Sequence, residues 1–196
     1  MSASHVRPEK PLSLPAPPSL SGLLNSAVGA ILDTASRRYL GWKWERTTDG
    51  KWTKPPFSLD RHGNMYRAST AQPSNWLDLE AAWLGWSLRE FDGIGIELLD
   101  EPHGLRRVDL DGVRDPVTGV ISEPALEIVA ALNSLTTISV SGTGLAIWTI
   151  GPPLAGRQAR YKQNRPDWPR VCDRDPGVEL LSFSCYSCLG LVPVQA

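Results

Sequence analysis

Apolar residues follow two rhythms along this chain. From Ser19 to Arg38, Leu23, Leu24, Ala27, Val28, Ile31 and Leu32 recur at three- and four-residue intervals, the spacing of one helix face, with Arg37 and Arg38 near the C-terminal end. A second helical stretch, capped by Ser74 or Asn75, runs to about Arg89 with Trp76, Leu79, Ala82, Trp83 and Trp86 on its buried side. A third spans Glu123–Leu135, with Pro124 in its first turn and Leu126, Val129, Ala130 and Leu132 apolar. Elsewhere the period shortens. Tyr39–Trp44 and Lys51–Lys54 flank Asp49-Gly50, which predicts a hairpin, and Pro55-Pro56 ends it. Phe91–Leu98 reads as a strand whose glycines permit close backbone approach, and a hairpin-like return leads into the strand Leu105–Asp111. Thr136–Val140 and Leu145–Ile150 flank a Ser-Gly turn, and Val178–Leu181 is a last strand. The intervening residues 151–176, rich in Pro, Arg and Asp, read as a mobile loop. Residues 1–19, rich in Pro and Ser, predict an extended or disordered arm before one domain over 20–196. Helices interleaved with antiparallel pairs give an α+β class.

Composition sets bounds on this picture. With 196 residues and 41% hydrophobic content, the chain is long enough for one substantial core, built from two subdomains. Six of its eight tryptophans fall between Trp42 and Trp86; at helical spacing they serve core packing better than base stacking. A net charge of -1 gives no global argument for nucleic acid. The distribution is more informative: residues 31–67 and 157–174 are basic and the middle is acidic, as a metal site beside a phosphate-binding surface would be. Charges mixed for solubility are the alternative. Any nucleic-acid contact through Lys43 to Arg67 and the 157–174 segment would be electrostatic and not sequence-specific. Cys172, Cys185 and Cys188 are too few for a disulfide framework, and the Cys185-x-x-Cys188 pair lacks zinc partners, so reduced thiols in a terminal strand are expected. No stretch reaches the roughly 20 apolar residues of a membrane span, and a cytoplasmic, intracellular protein is expected.

Asp109 and Asp111 sit at i and i+2, on one face of an extended strand roughly 6.5 Å apart along the chain. Two like charges so placed are costly unless a cation or proton separates them. The turn that follows, with Ser139, Ser141, Gly142, Thr143 and Gly144, is rich in small hydroxyls and glycines. A carboxylate pair followed by such a turn suits a metal ion with bound polyphosphate.

Six landmarks in order carry a resemblance: Trp52-Thr-Lys54-Pro55-Pro56, Pro73-Ser-Asn-Trp76, Phe91-Asp-Gly-Ile-Gly-Ile96, Val108-Asp-Leu-Asp-Gly-Val-Arg-Asp-Pro-Val-Thr-Gly119, Ser139-Val-Ser-Gly-Thr-Gly-Leu145 and Val178-Glu-Leu180. Over roughly Leu40 to Gly190 the chain resembles the catalytic domain of the bifunctional DNA primase-polymerases of phages and plasmids, in the archaeo-eukaryotic primase superfamily. The resemblance implies an RRM-like mixed or antiparallel sheet with a smaller N-terminal αβ unit. It also implies Asp109, Asp111 and Glu179 as catalytic ligands of two Mg²⁺ or Mn²⁺ ions, and Ser139, Ser141, Gly142, Thr143 and Gly144 as nucleotide binders. Lys54 and Arg114 are implied as phosphate or template contacts. The implied partners are a DNA template and primer, NTPs or dNTPs, and a separately encoded replicative helicase.

Two positions depart from the family pattern. The histidine expected two residues after the turn is Ala146, on the same strand face as Gly144, and the strand after Glu179 lacks its arginine. Three readings therefore stay open: a template-directed nucleotidyltransferase, weakened at Ala146; a catalytically degenerate module that binds nucleic acid or nucleotide; and an α+β domain with a coincidental Asp-x-Asp. Asp109→Ala and Asp111→Ala are expected to leave the fold intact, and Ala146→His to restore extension.

Overall fold

The structure, a computed structural model, describes residues 16–194, with the side chain of Arg157 excepted. Most of the Pro-rich arm, residues 1–15, lies outside the described residues. The α+β class expected from the sequence is what is found: among the described residues there are three short α-helices and twelve strands, in two five-stranded antiparallel sheets and one small hairpin.

The first predicted helix is much shorter than its apolar repeat. Helix α1 covers only Leu20–Leu24, capped by the Ser19 hydroxyl, and a 3-10 turn over Ala27–Ile31 follows. The Ser26 hydroxyl donates to the Leu23 carbonyl at 2.7 Å, a local bond that competes with helix propagation. Next come β1 (Tyr39–Trp42), β2 (Glu45–Arg46), β3 (Trp52–Thr53), β4 (Pro56–Leu59) and β5 (Met65–Arg67). A hairpin does form about Asp49-Gly50, where Gly50 supplies the positive φ of 86° its turn requires, but its first strand is β2. The predicted first strand, Tyr39–Trp44, instead supplies β1, which pairs with β4 and with residues 93–96. Helix α2 spans Leu79–Ser87, and its cap is Asp78, not Ser74 or Asn75; those two lie in a preceding 3-10 turn.

The sheets then divide the middle of the chain. β6 (Gly93–Leu98) belongs to the first sheet and β7 (Gly104–Asp111) to the second, so the expected hairpin between them does not form. Helix α3 (Glu123–Leu132) ends at Asn133 in the left-handed conformation and buries Ala125 and Val129, while Leu126 and Leu132 are exposed. After it come β8 (Thr136–Ile138), β9 (Leu145–Gly151), β10 (Arg160–Asn164), β11 (Gly177–Leu181) and β12 (Cys185–Cys188). β10 lies inside the stretch expected to be a mobile loop.

Strand order is β12-β6-β1-β4-β5 in the first sheet and β10-β11-β7-β9-β8 in the second. One face of the second sheet, with Leu110, Leu145 and Ile147, packs under Ala125 and Val129 of α3. On the opposite face, Leu105, Ala146, Trp148 and Leu181 join the core that α2 and the first sheet share. Trp42, Trp44, Trp86, Trp148 and Trp168 are buried core residues, whereas Trp52, Trp76 and Trp83 are only partly buried. Beyond β12 the chain crosses between sheets: Leu189 donates to Ile94 of β6, Val192 accepts from Ile138 of β8, and Val194 donates to Thr136.

Candidate nucleotide and metal cleft

Antiparallel register decides which side chains share the open face of the second sheet. Glu179 of β11 pairs directly with Asp109 of β7, and Asp111 follows two residues on, so all three carboxylates share one face. Along the same row, Lys162 of β10 stands opposite Glu179, and Ala146 of β9 opposite Asp109. One row closer to the core, Arg160 faces Leu181 and Arg107 faces Trp148. Where the two sheets part, this face opens into a cleft of about 160 Å³ lined by Asp109, Asp111, Glu179, Ser139, Ser141 and Lys54, among others.

Each carboxylate has its own cation. The Arg107 guanidinium lies 2.8 Å from Asp109, that of Arg160 2.8 Å from Glu179, and the Lys162 ammonium 4.0 Å from Asp111. Burial, and then the neighbouring Asp109 charge, push the Asp111 carboxyl above its usual range; Lys162, Arg174 and Arg107 act against that rise. Among the described residues, no three His, Cys, Asp or Glu side chains close on a point that would hold a metal ion as they stand. The donor set nevertheless suits a hard divalent cation: three carboxylates on one face, in a cleft with room for water and phosphate.

The Ser-Gly turn borders the carboxylates, as its sequence position implied. Its hydroxyls form a chain, Ser139 to Ser141 at 3.0 Å and Ser141 to Thr143 at 3.0 Å. The Gly142 and Gly144 amides are used inside the turn, on the Ser139 carbonyl and hydroxyl respectively. Gly142 has a φ of 78°, and a Cβ on Gly144 would meet the Leu110 carbonyl oxygen at 2.3 Å, so the turn needs both glycines. Val140 anchors it in the cluster of Trp42 and Trp44. Arg114 donates to the Gly142 carbonyl at 2.8 Å and braces the turn from behind. Lys54 reaches the cleft from the opposite wall, its ammonium 4.9 Å from the centre of the Trp44 ring.

Sequence reasoning did not single out Arg107 or Tyr186 and placed Arg160 only within a basic loop. Arg107 lies two residues before Asp109, one step ahead of the conspicuous Asp-x-Asp in the same alternation, a period-2 signal that was available. Tyr186 and Cys188 arrive from β12 of the other sheet, which no local pattern reveals. The three cysteines are free, and burial pushes the Cys185 and Cys188 thiols up. Ala146 is fully inaccessible within the shared core. Outside the cleft, much of the basic charge is met locally: Arg67 pairs with Glu45, Lys51 with Asp49, Arg165 with Asp167 and Arg170 with Asp175. Among the described residues no helix is long and apolar enough to cross a membrane.

No known family profile matches the chain. Over 118 residues, 60% of its length, it is 31% identical to the DNA primase-polymerase of Nitratiruptor phage NrS-1. The matched stretch spans only 16% of that phage protein. The chain is thus a distant relative of a phage DNA primase-polymerase.

Proposed function

We propose that this chain carries a nucleotidyl-transfer site that extends a primer on a DNA template, with Asp109, Asp111 and Glu179 holding divalent ions. The observation that carries this reading is the register of β11 on β7, which puts Glu179 beside Asp109 and two residues from Asp111 on the open face of one cleft. The distant phage relative supports it. Bound there, a pair of Mg²⁺ or Mn²⁺ ions would supply charge neutralisation at the attacking and leaving oxygens. The chain's own groups do the rest. The Ser139 and Ser141 hydroxyls line the cleft and are placed to donate to phosphate oxygens of an NTP or dNTP, and Lys54 adds a positive charge to the facing wall. Burial and the Asp109 charge raise the Asp111 pKa, and a cation beside the pair would favour its charged form. A DNA template and primer and a replicative helicase complete the proposed partners.

A second reading is favoured by Ala146, which stands opposite Asp109 and offers no donor to the cleft. On that reading the chain binds nucleotide or nucleic acid without extending it. Primer extension with Mg²⁺ or Mn²⁺ separates the two, with Asp111→Asn as the control that keeps the shape of the site. Extension by the natural chain that disappears in Asp111→Asn supports the enzyme. Mn²⁺ binding without extension supports the binding module, and no Mn²⁺ binding overturns the metal reading altogether.

A further inference from the structure

We propose that Arg160 and Lys162 of β10 are stand-in cations. In the metal-free protein they neutralise Glu179 and Asp111; divalent ions displace them, and they then grip the polyphosphate of the incoming nucleotide. This inference rests on the reading of those carboxylates as metal ligands and assigns phosphate contacts besides Lys54 and Arg114.

Three observations support it. First, the three ion pairs of the cleft differ in kind. Arg107 is held by a further hydrogen bond to the Cys188 carbonyl at 3.1 Å, and its side chain is 7% exposed. Arg160 and Lys162 are 59% and 54% exposed, so they can swing into solvent without becoming buried charges themselves, while Glu179, 12% exposed, needs a replacement cation when Arg160 leaves. Second, β10 is the outer strand of its sheet and pairs only with β11 among the described strands. Its register fixes both side chains on the cleft face, with Lys162 opposite Glu179 and Arg160 opposite Leu181. Third, all five residues of β10 are exposed, so no packing demand explains two cations aimed at the acidic row.

Charge balance completes the argument. Three carboxylates face five cations, Lys54, Arg107, Arg160, Arg174 and Lys162, so the metal-free cleft already carries a positive surplus. A divalent ion at the carboxylates competes with Arg160 and Lys162 for the same oxygens. A nucleotide triphosphate brings several negative charges of its own, which the released side chains can meet with charge-assisted hydrogen bonds. Metal and polyphosphate should therefore favour each other's binding, and by linkage the coupling is reciprocal.

The test uses the full chain, Mn²⁺ titrated by electron paramagnetic resonance, and inorganic tripolyphosphate as the anion probe. Arg160→Met is expected to raise Mn²⁺ affinity about three- to fivefold, the scale of a partly exposed ion pair, and the double variant with Lys162→Met further. Lys54→Met, which removes a cleft cation seated on Trp44, reports the general field effect and should change it less than about twofold. In saturating Mn²⁺, the double variant should lose tripolyphosphate affinity by at least about tenfold. If Arg160→Met binds Mn²⁺ no tighter than Lys54→Met, or tripolyphosphate binding is unchanged, the stand-in role is overturned while the metal site survives. If neither the natural chain nor Arg160→Met binds Mn²⁺, both fail together.

Discussion

β6 and β7 lie inside their respective sheets, and both carry acids, yet the two strands treat those acids in opposite ways. Glu97 on β6 is 3% exposed, and its Oε2 has no hydrogen-bond partner among the described residues. Arg38 is close enough to lower its pKa but gives its Nε–H to the Glu97 backbone carbonyl. Burial wins, and the Glu97 carboxyl is pushed up to about 7. On β7, Asp109 and Asp111 are partly open, and each has a basic partner, Arg107 on the same strand and Lys162 two strands away on β10. The difference shows that position inside a sheet does not decide an acid's state. What separates the acids is access to solvent and a side-chain cation within reach, both of which the β7 acids have and Glu97 lacks.

The contrast can be broken from either side. On β7, Asp109→Ala would leave the buried Arg107 guanidinium without its carboxylate and should destabilise the fold by about 3 kcal/mol in urea denaturation. The intact fold expected from sequence ignored this partner. A loss below about 1 kcal/mol would mean that the Cys188 carbonyl alone satisfies Arg107.

On β6 the sign reverses. The folded-state pKa of Glu97 lies above its unfolded value, so its contribution to stability is complete below about pH 4.5 and is lost as pH rises towards 7. Glu97→Gln should therefore match the natural chain at pH 4 and exceed it by about 3 kcal/mol at pH 8. Equal stability at both pH values would show that Arg38 compensates the charge in full.

A smaller effect is expected at the boundary of the two regions. Ala146 faces Asp109 in register but has no accessible surface and belongs to the shared core. Ala146→His should cost roughly 1–3 kcal/mol by overpacking and give no gain in nucleotide affinity. Improved binding of a fluorescent nucleotide at unchanged melting temperature would restore the sequence expectation.

The carboxylate row was legible because strand alternation is rigid: Asp109 and Asp111 had to share a face, and only the pairing partner of Glu179 was missing. β10 was not legible. Its residues, Arg-Tyr-Lys-Gln-Asn, are all exposed and carry no alternation of apolar positions, so a ladder of backbone hydrogen bonds holds a strand that hydropathy cannot detect. The N-terminal helix failed for the opposite reason. Its apolar repeat is genuine, with Leu23 and Val28 buried, but two short helical turns joined at Asn25 and Ser26 satisfy it as well as one long helix. The assignment of β6 and β7 to different sheets depends on partners far along the chain, beyond any local signal.

The late strands β11 and β12 have a consequence for how the molecule comes into being. A chain emerging in order has β6 and β7 in hand while the strands that cover their edges, β12 and β11, are still to come. Until residues past Gly177 arrive, two apolar sheets each present an unpaired edge, the kind of surface that recruits other chains. The crossing segment from Leu189 to Val194 then bonds to β6 and β8 in a single pass. The acids of the cleft gather only at that late moment, so the molecule's chemistry and its protection from aggregation mature together.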